Sequence, residues 1–414
     1  MKKKLFWLSL SLLAVTAAGG YLFYRFRHQP RLKRLTDNFW AYTLINKVAK
    51  ITDLGFVHYY FYPNSLDTYQ LFIKGKNLEI LQLSLPDPVT TPVVIEHNQE
   101  VPAVFVDPQG LEHNVKVRFR GNGAVHWAQP KKSWRIIFSG GDTFNGLASL
   151  DLIIPEDRGL VFEHLANFRA GKLGLLAPDS WFANLTINQQ SQGVYYVTEK
   201  LDEAFFTRRN LTGTLFGEKD QSETWNVNIY ESVDRWRTYP EDPNHPDFKY
   251  LKQLLDLVND PGSSAQEVFQ LLDKDSFLAW RVHSLLMASL HQDKSHNNRL
   301  FFNHQTKKFV LTPWDTGDRT STLVDIDETF NPLAIKLLQD PQVKAERNRR
   351  LAEYLNDPVN RSQDLEFFEN SWQSLQVPLM QDTNKFHPDL KYLLDIKNYR
   401  LWMLDHFDNL NRQL

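Results

Sequence analysis

The chain has 414 residues, with 47 Lys and Arg against 49 Asp and Glu for a net charge of -2, and 42% hydrophobic residues; that is enough for about two or three domains around large buried cores. The near-neutral balance excludes the global positive field that draws nucleic acid but not a local basic patch, so charge alone names no partner, and no nucleic-acid partner is expected. With no cysteine, disulfides, a thiolate nucleophile and Cys-ligated zinc or iron-sulfur sites are excluded too.

Lys2, Lys3 and Lys4 open the chain before an uncharged run from Leu5 to Tyr24, which is long enough to cross a bilayer as a helix. Arg25, Arg27, Arg31, Lys33 and Arg34 follow. Residues 1–28 are read as an N-terminal membrane anchor; a signal segment cleaved near Val15 to Ala17 is the competing reading and gives a secreted form. Cations on both flanks nearly cancel the positive-inside bias, and the usual inside-N geometry of a single-pass anchor places the rest of the chain outside the cytoplasm. Residues 29–56 read as a linker.

Residues 57–199 are rich in strand signals. Val115, Val117 and Phe119 alternate with Lys116 and Arg118, which predicts a half-buried strand, and Ser133 to Phe138 predicts another. Around them, Arg118-Phe119-Arg120-Gly121-Asn122-Gly123 and Pro130-Lys131-Lys132-Ser133-Trp134-Arg135 put cations and a glycine turn at a strand junction. Such a turn holds phosphate when its amides and cations point inward, although Gly-Asn-Gly is also an ordinary hairpin turn. The apolar spacing from Arg158 to Leu176 predicts a helix, and Trp181–Ile187 with Val194–Thr198 predicts a hairpin around Asn188 to Gly193.

From residue 200 to 414 helices dominate, with Ala265–Leu272, Ser276–Leu290, Gln342–Leu355 and Leu390–Leu410 as the clearest. Right after the second of these comes His291-Gln292-Asp293-Lys294-Ser295-His296-Asn297-Asn298. Asp293 and Asn298 have the D-x-x-x-x-N spacing of a kinase catalytic loop, in which the carboxylate meets the acceptor hydroxyl and the amide oxygen helps bind metal. The apolar run Phe309-Val310-Leu311 then leads to Pro313-Trp314-Asp315, where a kinase places its metal-binding aspartate. Each pattern alone has a plain reading, a chance spacing or a turn aspartate; their order after the basic strands is what points to phosphoryl transfer.

In that order the chain resembles the CotH kinase family of atypical protein kinases, over about Val115 to Leu355. The residues that carry the resemblance are Arg118 to Gly121, Lys131-Lys132, Gly193-Val194-Tyr195 with Glu199-Lys200-Leu201-Asp202, Asp293 to Asn298, Pro313-Trp314-Asp315, and Asn331-Pro332-Leu333 running on to the Arg347–Leu355 helix. The resemblance implies an α+β, two-lobed kinase-like fold, with a strand-rich N-lobe over 57–199 and a helical C-lobe over 200–414 behind the N-terminal transmembrane helix. It also implies transfer of the γ-phosphoryl of ATP, with Mg2+ or Mn2+, to Ser or Thr of a protein substrate. Carried over residue by residue, it puts Lys132, or Lys131 in its place, on the ATP phosphates, makes Asp293 the catalytic carboxylate, and gives the metal to Asn298 and Asp315. Arg118, Arg120 and Glu199 would line the nucleotide cleft.

The chain departs from the family pattern twice. Gly317 stands where a second acid usually completes W-D-x-D, the next acid being Asp318, and Phe162-Glu163 stands where the family tends toward Arg-Asn. The departures leave open a catalytically inactive CotH-like protein that serves in surface binding or adhesion. A third class is a metal-dependent hydrolase using His291, Asp293 and His296, with His304 nearby in sequence, since imidazole and carboxylate suit zinc; no HExxH-type pair accompanies them.

Overall fold

The computed structural model describes residues 39–88, 91, 99–219, 227–317 and 325–414. Seven strands, β1 (Thr68–Phe72), β2 (Val101–Val106), β3 (Glu112–Phe119), β4 (Trp134–Phe138), β5 (Ser149–Ile153), β6 (Ser180–Ile187) and β7 (Gln190–Glu199), close into a barrel in the order β1-β2-β3-β4-β5-β7-β6. The closing pair, β1 with β6, is parallel, with Leu71 opposite Ile187. Alternation sets what faces inward: Val115, Val117 and Phe119 are buried, and Val117 lies opposite Val101 on one side and Ile136 on the other. With Leu71, Phe105, Leu150, Leu185, Tyr195 and Val197 these side chains fill the interior, so the barrel is a packed core and not a pore. The β6–β7 hairpin turns through Asn188 and Gln189, both left-handed at φ 50 and 68, the pair of conformations that a tight two-residue hairpin needs.

Beyond the barrel, β8 (Gly213–Glu218), β9 (Trp236–Tyr239), β10 (Arg299–Asn303) and β11 (Lys308–Leu311) form an antiparallel sheet in the order β11-β10-β8-β9. Helices Phe248–Asn259, Ala265–Leu271 and Lys274–Leu286 cover it, burying Leu251, Leu254, Val268, Phe277 and Leu278 with Phe216, Phe302 and Phe309 of the sheet. Each such side chain contributes roughly 1.5–3 kcal/mol on burial. A third core joins helix Phe162–Lys172 to the helices Pro341–Asn356, Pro358–Gln381 and Asp389–Gln413 through Phe162, Leu165, Leu351, Phe368, Leu375, Tyr392 and Phe407. Ile153, Phe182 and Tyr196 of the barrel belong to the same core, so the C-terminal helices pack directly on the barrel's outer wall.

The expected pair of kinase-like lobes behind a membrane helix is corrected. The strand-rich part closes on itself into a seven-stranded barrel, and the part after residue 200 carries a four-stranded sheet among its helices. Alternation in a strand reveals which face is buried, but not that β1 will pair with β6 more than a hundred positions later and abolish both sheet edges. No described helix is long and apolar enough to cross a membrane. The run read as an anchor, residues 5–24, lies outside the described residues, and the single-pass membrane placement is not retained.

Candidate functional site

Where the outer face of β3 and β4 meets the second sheet, the chain leaves a cleft of about 450 Å³. Eight cationic side chains line it, Arg118, Arg120, Arg135, Arg158, Lys200, Lys219, Arg237 and Arg299, against the acids Glu241 and Asp315. This local field is opposite to the chain's net charge of -2, and it is the kind of surface that concentrates a polyanion.

Strand geometry brings the arginines together. Inward-facing Val117 and Phe119 force Arg118 to the outer face of β3, where it pairs in register with Arg135 of β4, itself opposite Asp151 of β5. Asp151 is fully buried and takes Arg135 at 2.6 and 2.7 Å and Arg120 at 3.2 Å. Burial opposes its charge, but Arg135 and Arg120 overcome that and hold the carboxyl well below the usual range. Burial also pulls Arg120 down to about 10, against the attraction of Asp151, so it stays a cation at neutral pH. Gly121, at φ 93, lets the following turn fold tightly, because a Cβ there would fall 2.1 Å from the His126 ring. Arg299 bonds Glu218 at 2.8 Å and lays its guanidinium over the Tyr239 and Trp314 rings, at 5.2 and 5.6 Å from their centroids.

Asp315 sits at the edge of this field in a left-handed turn, φ 55. Its carboxylate forms an ion pair with Arg158, and its carbonyl accepts a 2.9 Å bond from His291 Nδ1. That bond ties the His291–Asn298 loop to the Asp315 turn. Within the loop, Asp293 Oδ1 accepts the amides of Ser295 and His296 at 2.6 and 2.8 Å and faces His296 Nδ1 at 3.2 Å. Burial alone would raise the Asp293 carboxyl, but the His296 side chain and the two amides bring it below its ordinary value. Behind Asp315, the buried Glu163 accepts amides from Gly317 and Thr316; burial raises its carboxyl, with Arg158 and the amides opposing.

Of the residues expected at the site, Arg118, Arg120 and Asp315 line the cleft. Asp293 lies in the adjoining loop, about one quarter exposed. The others are turned elsewhere. Lys131 Nζ is buried on Asp382 and the Val194 carbonyl, at 2.5 and 2.6 Å. Lys132 Nζ folds back onto the carbonyls of Trp127 and Gln129 at 2.6 and 3.0 Å. Glu199 is spent on Arg208 and Arg209. Asn298 uses its whole amide: Nδ2 donates to the carbonyls of Asp293 and His296, and Oδ1 accepts from Tyr230 and Asn331. Asn298 therefore braces the loop from within, and its neighbour Asn297, left-handed at φ 58, is the asparagine that lines the cleft.

Arg158, Lys219, Arg237 and Arg299 escaped the sequence reading, and Arg135, Lys200 and Asn297 stood inside its motifs without a role of their own. Arg135 was legible, since period two from the inward Trp134 turns it outward beside Arg118. Lys200 follows Glu199 directly and was passed over for it. Lys219, Arg237 and Arg299 depend on the second sheet, whose strands the helical reading did not place. The hydrolase set is not assembled either. His304 Nε2 is engaged with Asp247 at 2.6 Å, and among the described residues no group of three or more His, Asp or Glu side chains is placed to hold a metal ion.

These donors suit a hard cation shared with a ligand better than a closed cage. Mg2+ is commonly bound by one or two carboxylates plus substrate phosphates and water, and Asp315 with Asn297 beside a field of cations fits that pattern. The chain is similar to Inner spore coat protein H of Bacillus subtilis (strain 168), at 24% identity over 311 residues that cover 70% of this chain and 82% of that protein. Residues 117–391, which hold the cleft's β3 wall, the His291–Asn298 loop and the Asp315 turn, match the CotH kinase protein family, and with well over half of its length so matched the chain belongs to that family.

Proposed function

We propose that the protein is a metal-dependent kinase that transfers the γ-phosphoryl of ATP to Ser or Thr hydroxyls of a protein substrate. The observation that carries this reading is the cation-lined cleft with Asp315 at its edge and the Asp293 loop alongside. Phosphoryl transfer asks a protein mainly for position and charge neutralisation. In this reading Arg118, Arg120, Arg135 and Lys200 hold the phosphates, taking the role first given to Lys132 and Lys131. Asp315 and Asn297 hold the divalent ion, which when bound neutralises charge on the transferred group. Asp293, with Oδ1 anchored on its own loop and Oδ2 at 3.3 Å from His296 Nδ1, is the carboxylate that meets the acceptor hydroxyl.

The anchoring of Asp293 on Ser295 and His296 also favours a second reading, a nucleotide-binding protein without transfer. Incubating the full chain with γ-labelled ATP and Mg2+ or Mn2+ separates the two. Metal-dependent label on Ser or Thr supports the kinase; bound ATP without transfer supports the second reading; absence of ATP binding defeats both.

A further inference from the structure

Position 317 is a place in the Asp315 turn where a side chain has no room. A Cβ on Gly317 would stand 2.5 Å from Glu163 Oε2 and 3.0 Å from the Glu163 nitrogen and Cα. Glycine is required here by close approach, since its φ is not in the left-handed region. The space is taken by the Glu163 carboxylate and backbone, in the first turn of helix Phe162–Lys172.

A buried carboxylate is costly unless it is paired and hydrogen-bonded. Glu163 is 7% exposed, and its partners are the amides of Gly317 and Thr316 together with the charge of Arg158. The two amides immediately follow Asp315, and Arg158 is the cation paired with Asp315 itself. Everything Glu163 holds therefore bears on where the Asp315 carboxylate stands.

We propose that Glu163 is a positioning residue for Asp315: by gathering the Thr316 and Gly317 amides into the space that Gly317 leaves, it keeps the left-handed turn in place and Asp315 facing the cleft. The proposal rests on the kinase reading for the purpose of Asp315, but not for the geometry of the turn.

The test uses the full chain as wild type, Glu163→Ala, Gly317→Ala, Asp315→Asn and the Glu163→Ala/Asp315→Asn double variant. Two quantities are read at a temperature where circular dichroism shows each chain folded: hydrogen exchange in the 314–317 segment, and Mn2+ affinity in the presence of a non-hydrolysable ATP analogue. Glu163→Ala, which removes the acceptor of the two amides, and Gly317→Ala are each expected to speed exchange in the segment and to weaken Mn2+ binding by about 10–100-fold, as outer supports of metal ligands do. The double variant is expected to bind no more weakly than Asp315→Asn, because Glu163 acts through Asp315. Unchanged exchange and Mn2+ affinity in both single variants would overturn the proposal, and so would losses that multiply in the double variant. A wild type that binds no Mn2+ while Glu163→Ala still frees the turn would sink the kinase reading and leave Glu163 as the support of the turn.

Discussion

Lys131 and Asp382, 251 positions apart, close a buried 2.5 Å ion pair that joins the barrel to the end of helix Pro358–Gln381. Asp382 also accepts the Val194 amide at 3.0 Å, and a Cβ on Gly193 would meet its carboxylate at 2.1 Å. Charge, strand and helix are thus fitted to one another at a point away from the cleft. Removing one partner of such a pair strands the other charge in a dry site, at about 3–5 kcal/mol. Lys131→Ala is expected to lower stability on that scale, read as a lower urea midpoint, with nucleotide affinity of the folded protein unchanged. A loss of ATP affinity without a shift in midpoint would return Lys131 to the phosphate site.

The same logic ranks the other two lysines. Lys200 lines the cleft, whereas Lys132 is committed to the Trp127 and Gln129 carbonyls. Lys200→Ala is expected to weaken ATP binding by about tenfold or more, the worth of one charge-assisted contact of roughly 1.5–3 kcal/mol. Lys132→Ala should cost stability and leave ATP affinity within about threefold, a difference of well under 1 kcal/mol. Isothermal titration of both variants decides the order, and a larger affinity loss in Lys132→Ala would reverse the assignment.

These lysines also show how far the sequence could be read. Period two correctly turned Arg118 outward, because Val115, Val117 and Phe119 need the barrel interior. It says nothing about Lys131 and Lys132, because β4 begins at Trp134 and a turn has no such period. The hairpin around Asn188, the helices near 265, 276, 342 and 390, and the Asp293 and Asp315 segments were legible from local pattern. The barrel closure, the second sheet and the Lys131–Asp382 and Glu163–Gly317 contacts were not, since each joins residues far apart in sequence with no local signature.

Two buried histidines should give the fold an acid limit. His283 Nε2 donates to the Ala166 carbonyl at 2.9 Å and His406 Nε2 to the Leu285 carbonyl at 2.7 Å, and burial holds both rings down to about 4. With folded values below the unfolded value of about 6.5, their stabilisation is complete above pH 6.5 and is lost as pH falls toward 4, with a slope of about 1.4 kcal/mol per pH unit for each. Asp389, which burial raises to about 6, has the opposite slope over its own window and offsets about one of them. Chemical denaturation between pH 4.5 and 7 is expected to show stability falling with acid, and His406→Gln to flatten the curve. A wild-type curve already flat over this range would contradict the assignment.

Asp293 is where the kinase, binding and hydrolase readings part most clearly. In Asp293→Asn the side-chain oxygen can still accept the Ser295 and His296 amides, so the loop keeps its shape and what is lost is the charge offered to the acceptor. Loss of a catalytic carboxylate falls on the transition state more than on the ground state, so transfer is expected to drop about 10²–10⁴-fold while ATP and Mn2+ affinities hold. The His291→Ala/His296→Ala variant serves as the control. Removing His296 lets the Asp293 carboxyl rise toward its ordinary value, still ionised at neutral pH, and removing His291 loosens one tie to the Asp315 carbonyl. That double variant should keep transfer within about tenfold of wild type, a barrier change near 1.4 kcal/mol. Loss of bound metal in the double histidine variant would favour the hydrolase chemistry; equal transfer by Asp293→Asn and wild type would remove Asp293 from catalysis altogether.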